Sequence, residues 1–335
     1  MRTRPLDLTD DQLTDCLFLG WGLSAERLEY VSVGGGSHHW LADNADGQRH
    51  WVTVDGVANH GFLGALPADA FSGLRCALDT ALALREMGLE FVVAPLCSKR
   101  GQTMEALGAR CAVAVYPYLV GTSGKFGAPR SADERAQVVD VLVRLHQATP
   151  AVTALARPWQ VSPASRRALE DALDNLEQPW VGGPFSEPAR ATVAGHAPAL
   201  RRLLATFDQL AAEVAAAGAE QVITHGEPHP ANLLSAGGSL MLIDWDTAGL
   251  APPERDLSLI LGEAGEGADR YREATGRAYD PAVLNLYRTR WYLDDLASAV
   301  RLFRQPHNST ADTERWFGGL APRLAQLPEW LGLLG

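Results

Sequence analysis

Residues 28 to 56, LEYVSVGGGSHHWLADNADGQRHWVTVDG, constrain the fold more than any other stretch, because two turn signals cut them into three β-rich pieces. The first cut is GGGS and the second is NADGQ, an Asn/Asp/Gly cluster. Aromatic and β-branched runs bounded in this way read as strands of an antiparallel meander. Phe71, Leu74, Leu78 and Leu82 then recur at helical spacing between 69 and 87, and Gly88 supplies a stop. Next come EFVVAPL, a turn at SKRGQ, and ARCAVAVYPYLVG, two further β-branched runs. The expected order is three strands, a helix and two strands.

After Gly121 the character changes. Residues 131–147, 165–176, 187–217 and 282–304 carry helix-like patterns, interrupted chiefly by ANLL and LMLID, a strand pair joined by the Gly-rich turn SAGGS. Residues 116–121 are the candidate hinge. The expectation is an α+β chain of two lobes: residues 1–118, a small antiparallel five-stranded lobe with one main helix, and residues 119–335, larger and mostly helical.

With 335 residues, 47% of them hydrophobic, the chain can bury one large core or two packed lobes. Its apolar runs fall far short of the roughly 18 residues that a membrane span needs, and MRTRPLDLTD lacks a secretory apolar region. A cytoplasmic location without a membrane partner is therefore expected. Cys16, Cys76, Cys97 and Cys111 are too irregularly spaced for a disulfide framework or zinc site and read as buried thiols. The formal charge of −11 argues against nonspecific nucleic-acid binding. It suits a cationic small substrate, and equally suits solubility alone. Of 29 basic residues, only Lys99 and Lys125 are lysines.

The densest chemistry lies in HGEPHPANLL, residues 225–234. His225, Glu227 and His229 are all zinc-competent, but Pro228, Pro230 and Gly226 oppose the helix that an HExxH site requires. Phosphoryl transfer asks instead for a carboxylate near the acceptor hydroxyl, an amide oxygen five residues on, and a second carboxylate on the same Mg²⁺. Glu227 and Asn232 have that spacing, and the hairpin through LMLIDWD returns Asp244 beside Asn232. Hard oxygen ligands of this kind suit Mg²⁺.

With HGEPHPANLL and LIDWDTAGLAPPERDL, together with GGGSHHW, LEFVVAP and AVYPYLVG in the order of a small lobe, the chain resembles the aminoglycoside phosphotransferases. That family has a bilobal protein-kinase-like fold. The wording looks closest to the spectinomycin-phosphotransferase-like branch, and the resemblance spans about residues 25 to 305. It implies Glu227 as catalytic base and Asn232 and Asp244 as Mg²⁺ ligands. Gly34, Gly35, Gly36 and Ser37 would form the loop over the nucleotide phosphates, with the backbone of Tyr116, Pro117, Tyr118 and Leu119 near the adenine. His225 and Asp256 would support the catalytic loop. Glu263, Asp294 and Asp295 are candidate substrate-wall acids, and solvated surface acids on the plainer reading. Trp245 reads as core, His38, His39 and His229 as surface or turn residues, and Asp246 as a turn cap.

Two departures from the family pattern stand out. Glu227 occupies a position where most of the family has aspartate; the ordinary acidities of the two carboxyls differ by only about 0.4 pH units, so proton acceptance survives. The third strand normally presents a lysine to the phosphates, but Thr53 stands there in HWVTVDG. Arg75, four residues before Asp79 on the helix, is expected to form a surface ion pair with it instead of reaching across.

The expected activity is therefore transfer of phosphate from ATP or GTP, with Mg²⁺, to a hydroxyl of a small molecule such as an aminoglycoside or related antibiotic. Two other readings stay open: a catalytically impaired kinase-like ligand-binding or regulatory protein, which Thr53 favours, and a small-molecule metabolic kinase using the same residues. The partner is a small molecule, not a nucleic acid, and the chain is expected as a monomer or homodimer.

Overall fold

The computed structural model describes residues 1–5, 7–56, 67–262 and 265–334. A helix not expected from the sequence, α1 (Asp10–Trp21), comes first, opened by a capping box in which the Thr9 hydroxyl accepts from the Gln12 N–H and the Gln12 side chain accepts from the Thr9 N–H. There follow β1 (Ala25–Val31), β2 (His38–Asn44), β3 (Arg49–Gly56), α2 (Pro67–Glu86), β4 (Glu105–Leu107) and β5 (Cys111–Pro117). The five strands form one antiparallel sheet in the order β1-β2-β3-β5-β4.

Side-chain alternation divides this sheet into two faces. Trp40, Val52, Val54, Val113 and Val115 pack on Leu13 and Leu17 of α1. Ala112 and Ala114 pack with Met104 against Ala70, Leu74 and Leu78 of α2. By the period of two, Trp51, Thr53 and Asp55 share this second face, because Trp51 lies opposite Tyr116 and Thr53 opposite Ala114.

Five strands were expected, but one is a different segment. EFVVAPL is not a sheet strand: Val92 makes only an isolated parallel bridge to Leu242, the Leu242 N–H donates to the Phe91 carbonyl at 2.7 Å, and the Val93 N–H donates to the Leu242 carbonyl at 3.0 Å. Its Phe91–Val93 backbone bonds to the later hairpin, Pro95 has no N–H to donate to a ladder, and Leu96 gives β5 a single bond, from its N–H to the Val115 carbonyl at 2.7 Å. Glu105–Leu107 pairs with β5 in its place.

The chain continues through β6 (Gly121–Ser123), α3 (Ala132–Gln147), α4 (Thr149–Val152), α5 (Arg166–Asp174), α6 (Ser186–Ala194), α7 (Ala197–Ala217) and β7 (Val222–Thr224). A 3₁₀ turn, Pro230–Asn232, leads into β8 (Leu233–Ala236), β9 (Ser239–Leu242), β10 (Gly249–Ala251), α8 (Glu254–Leu257), α9 (Ala268–Thr275), α10 (Pro281–Arg304), α11 (Ala311–Ala325) and α12 (Leu327–Leu334). The single helical pattern read over 187–217 is two helices, because Gly195 and His196 interrupt it and Pro198 sits in the first turn of α7. The four cysteines are free thiols; where burial was expected, Cys97 is exposed and Cys16, Cys76 and Cys111 are half-buried.

Two compact units result. Residues Met1–Trp159 and Gln221–Tyr279 form one, which holds the five-stranded sheet, the β6-β8-β9 sheet and the β7-β10 pair. Residues Gln160–Glu220 and Asp280–Gly335 form the other, a helical unit whose core includes Leu203, Phe207, Leu293, Leu296, Phe303 and Leu324. Among the described residues no helix is long and apolar enough to cross a membrane.

Candidate active site

The loop after β7 is built around one buried carboxylate. Asp256, fully buried on α8, accepts the backbone N–H of His225 at 3.0 Å on Oδ2 and that of Gly226 at 2.6 Å on Oδ1. Burial acts to raise its carboxyl, but the hydrogen bond to His146 and the nearby Arg255 and His225 hold it below the usual carboxylate range. His146 on α3 places Nε2 3.0 Å from Asp256 Oδ2 and Nδ1 2.8 Å from the Tyr271 hydroxyl. Gly226 takes φ 97°, and a Cβ there would overlap the Arg255 guanidinium, so the loop tolerates only glycine. Arg255 in turn donates to the Thr224 hydroxyl at 2.7 Å and the Thr247 carbonyl at 2.8 Å and lies over the Trp159 ring.

His225 is fully buried and committed at both nitrogens. Nε2 lies 2.9 Å from the Ile243 carbonyl, which can only accept, while Nδ1 accepts the Glu227 backbone N–H at 3.2 Å. The ring is therefore neutral with its proton on Nε2. Burial agrees, pushing its pKa down to about 4. A histidine so engaged has no lone pair for zinc, which removes the metal reading of HGEPH.

Glu227 and Asn232 are stitched together locally. The Asn232 Nδ2 donates to the Glu227 carbonyl at 3.0 Å, which leaves Oδ1 as the amide's ligand atom. The hairpin then returns as expected: β8 and β9 pair with Leu233 opposite Leu242, and the Ile243 N–H donates to the Asn232 carbonyl at 3.1 Å, so Asp244 follows directly beside Asn232. Asp244 has φ 68°, the only positive-φ residue other than glycine among the described residues. Such a conformation costs on the order of 1 kcal/mol or more and is retained where the surroundings impose it, commonly at functional sites.

Glu227 is about one-third exposed, with Oε2 3.7 Å from His229 Nε2. Burial acts to raise its carboxyl, yet His229, His225 and Arg255 outweigh this and keep it below the usual carboxylate range. His229 is packed edge-on against Phe126. Asp246 goes the other way: burial first, then Asp244, Glu227 and Asp55, push its carboxyl well above the ordinary value, while the Thr247 backbone N–H bonds to it as a turn cap. Trp245 is fully buried, as expected of a core residue.

The sheet contributes a second set. Burial, then Asp55, Asp244 and Asp246, raise the Tyr116 phenol, so the α2 face of β3 and β5 lies within electrostatic reach of the hairpin carboxylates. On that face Thr53 is buried and its hydroxyl lies 3.2 Å from His39 Nδ1, because His39 and Thr53 are register partners. His39 is thus a sheet residue, not the surface or turn residue expected. Ser37, buried at the end of the glycine loop, donates its hydroxyl to Asp55. The expected Arg75–Asp79 ion pair does not form; Asp79 accepts the Thr103 hydroxyl at 2.6 Å instead, and Arg75 is exposed.

Groups that could take a nucleotide and a divalent ion are present. The N–H groups of Gly34, Gly35 and Gly36, like those of Tyr118, Leu119 and Val120, have no hydrogen-bond partner among the described residues. No cluster of three or more His, Cys, Asp and Glu suited to a metal occurs among the described residues. An amide oxygen beside two carboxylates fits Mg²⁺, which takes few protein ligands and completes its shell with water and phosphate.

Asp294 and Asp295 belong to the helical unit and are matched there, Asp294 with Arg290 at 2.6 Å and with the Ala164 N–H at 2.7 Å, Asp295 with Arg323 at 2.9 Å. Glu263 lies outside the described residues. The structure adds Asp55, His146 and Tyr271, which carried no motif, and gives partners to His39 and Arg255, which lie within GGGSHHW and LIDWDTAGLAPPERDL.

Residues 67–299 match the phosphotransferase enzyme family. A spectinomycin phosphotransferase solved with ADP and spectinomycin is 18% identical with a TM-score of 0.67, each chain covered to 98%. An amicoumacin kinase solved with AMP-PNP, Ca²⁺ and its ligand is 14% identical with a TM-score of 0.61, over 96% of this chain and 94% of that one. A microcompartment-associated aminopropanol kinase is 15% identical with a TM-score of 0.61, over 97% and 99%. Among curated proteins, none matches the chain significantly.

Proposed function

The chain belongs to the phosphotransferase enzyme family, whose protein-kinase-like α+β fold it shares, and from that premise we propose that it transfers the terminal phosphate of ATP or GTP to a hydroxyl of a small organic molecule. The observation that carries the reading is the stitched loop and hairpin, in which Glu227, Asn232 and a conformationally strained Asp244 are held together by two hydrogen bonds of about 3 Å.

Glu227 is the acceptor of the substrate's hydroxyl proton. A carboxylate kept ionised chiefly by its hydrogen bond to His229, with help from Arg255, is a modest base, which suffices for a transition state in which bond breaking to the leaving phosphate runs ahead of attack. The acceptor oxygen bonds to the terminal phosphorus, the bond to the nucleoside diphosphate breaks, and the proton passes to Glu227. Asn232 Oδ1, Asp244 and Asp246 are the groups that would hold Mg²⁺, which when bound neutralises charge on the transferring phosphate. The amides of Gly34, Gly35 and Gly36 cradle the phosphates, and the peptide groups of Tyr118 and Leu119 take the base. We assign residues 1–118 to nucleotide binding and 119–335 to catalysis and acceptor binding; the two compact units have other bounds, with Gln221–Tyr279 joining Met1–Trp159.

The acceptor class we favour is a hydroxylated, cationic antibiotic, on the overall acidity and on the compounds bound in the spectinomycin and amicoumacin enzymes. The aminopropanol kinase keeps a metabolic amino alcohol as the second reading. Incubating the protein with Mg²⁺, nucleotide and a panel from both classes, with phosphorylated product scored by mass spectrometry, separates them. Glu227→Gln and Asn232→Ala are expected to lose at least about 10²-fold in kcat. Product formation indifferent to both substitutions and to Mg²⁺ would sink the proposal.

A further inference from the structure

We propose that His39 is the cationic contact for the nucleotide phosphates, standing in for the lysine that Thr53 replaces; the inference rests on the phosphotransferase reading above. Three observations place it there. His39 on β2 is the register partner of Thr53, and its Nδ1 lies 3.2 Å from the Thr53 hydroxyl, so the residue at the lysine position orients the ring. The outer nitrogen, Nε2, lies 3.3 Å from where a Cβ on Gly34 would stand, immediately beneath the glycine loop. That nitrogen has no hydrogen-bond partner among the described residues. The Trp51 ring, 5.2 Å away, backs the imidazole.

The charged groups around the ring leave room for such a role. β3 contributes Asp55, held by the Ser37 hydroxyl. β2 contributes the neighbouring His38, which turns away to the Tyr30 hydroxyl. β1 offers Val31 opposite His39 and therefore no charge. The amino group of Met1 lies on the carbonyls of Val33 and Ser37 at the loop's edge. Burial first, then that amino group, push the His39 pKa down to about 4, so the ring is neutral without nucleotide. Phosphate charge beneath the loop reverses the balance: binding takes up a proton, and affinity strengthens as the pH falls towards the free-state value. Lys99 does not supply this charge, since its ammonium donates to the Phe18 carbonyl; Lys125 is exposed, and the N–H of its neighbour Gly124 is bound to the Pro230 carbonyl in the loop after β7, not to the five-stranded sheet.

Calorimetric titration of Mg²⁺–ATP at pH 6, in buffers of different ionisation enthalpy, gives affinity and proton uptake in one experiment. His39→Gln should take up fewer protons than wild type by up to one and bind ATP about 10- to 100-fold more weakly, with adenosine affinity unchanged. Protons released at the metal carboxylates are common to both proteins and cancel. His39→Gln with Thr53→Lys should recover affinity without the uptake. Equal uptake and equal ATP affinity in wild type and His39→Gln overturn the inference alone, as does a loss confined to Lys125→Met. If wild type binds no nucleotide, the phosphotransferase reading falls, and this inference with it.

Discussion

A single ring nitrogen decides much about the proposed catalytic loop. Because Nδ1 of His225 accepts the Glu227 N–H while Nε2 donates to Ile243, protonating the ring turns an acceptor into a second donor and sets it against an N–H. The folded-state pKa, about 4, lies below the unfolded value near 6.5. The unfolded chain therefore binds the proton first as pH falls, and stability is lost between about pH 6.5 and 4 while remaining intact above. One such group accounts for about 3 kcal/mol across that window. Urea unfolding of His225→Asn should show a flatter pH dependence than wild type there, by up to about 1.4 kcal/mol per pH unit; parallel curves would show that the buried ring is not the proton-linked group. At this scale the motif was readable because Glu227 and Asn232 are five residues apart, and a local hairpin brings Asp244 to them. The supports were not readable, since His146 is 110 residues from Asp256 and His39 meets Thr53 only through strand register.

Strand segments expose a different limit. EFVVAPL and CAVAVYP carry similar β-propensity, but propensity says nothing about which edge a strand finds, and the Phe91–Val93 backbone finds β9 while β5 finds β3. Helix α1 escapes a reading by apolar periodicity although Thr9 and Gln12 spell a capping box, a signal independent of that periodicity. The β8–β9 hairpin, by contrast, was legible because SAGGS is a turn of the required kind, and its return carries the positive-φ residue Asp244. It places Asp246 against Asp244, Glu227 and Asp55, which raise its carboxyl well above the ordinary value. Acids crowded in this way cost stability until a cation arrives. Asp246→Asn should therefore unfold at higher temperature than wild type without Mg²⁺, by about 1 kcal/mol in stability, and gain less from added Mg²⁺ and nucleotide. Thermal denaturation with and without ligand checks both halves, and a variant less stable than wild type in metal-free buffer would place Asp246 as a simple turn cap.

For the molecule as a whole, forty acidic residues face twenty-nine basic ones, and several of the arginines are spent inside the fold. Arg130 donates to the carbonyls of Pro228 and Leu259, Arg135 to that of Ile260, and Arg255 to that of Thr247, so positive charge is used to clamp backbone around the proposed catalytic loop. The field left for an approaching molecule is negative, which helps a cationic acceptor and opposes the nucleotide. This makes a local cation at the phosphates more necessary than in a neutral protein, and it gives the acceptor proposal a test that does not depend on knowing the compound. Screening acts on encounter more than on the assembled site, with a Debye length near 8 Å at about 0.15 M salt. Raising ionic strength from about 0.02 to 0.3 M should lower kcat/KM for a cationic acceptor by roughly 3- to 10-fold while kcat changes little, and should leave a neutral hydroxyl acceptor nearly unaffected. If steady-state kinetics show the two acceptors responding alike, the acidity serves solubility alone, and the preference for a cationic substrate loses its physical basis.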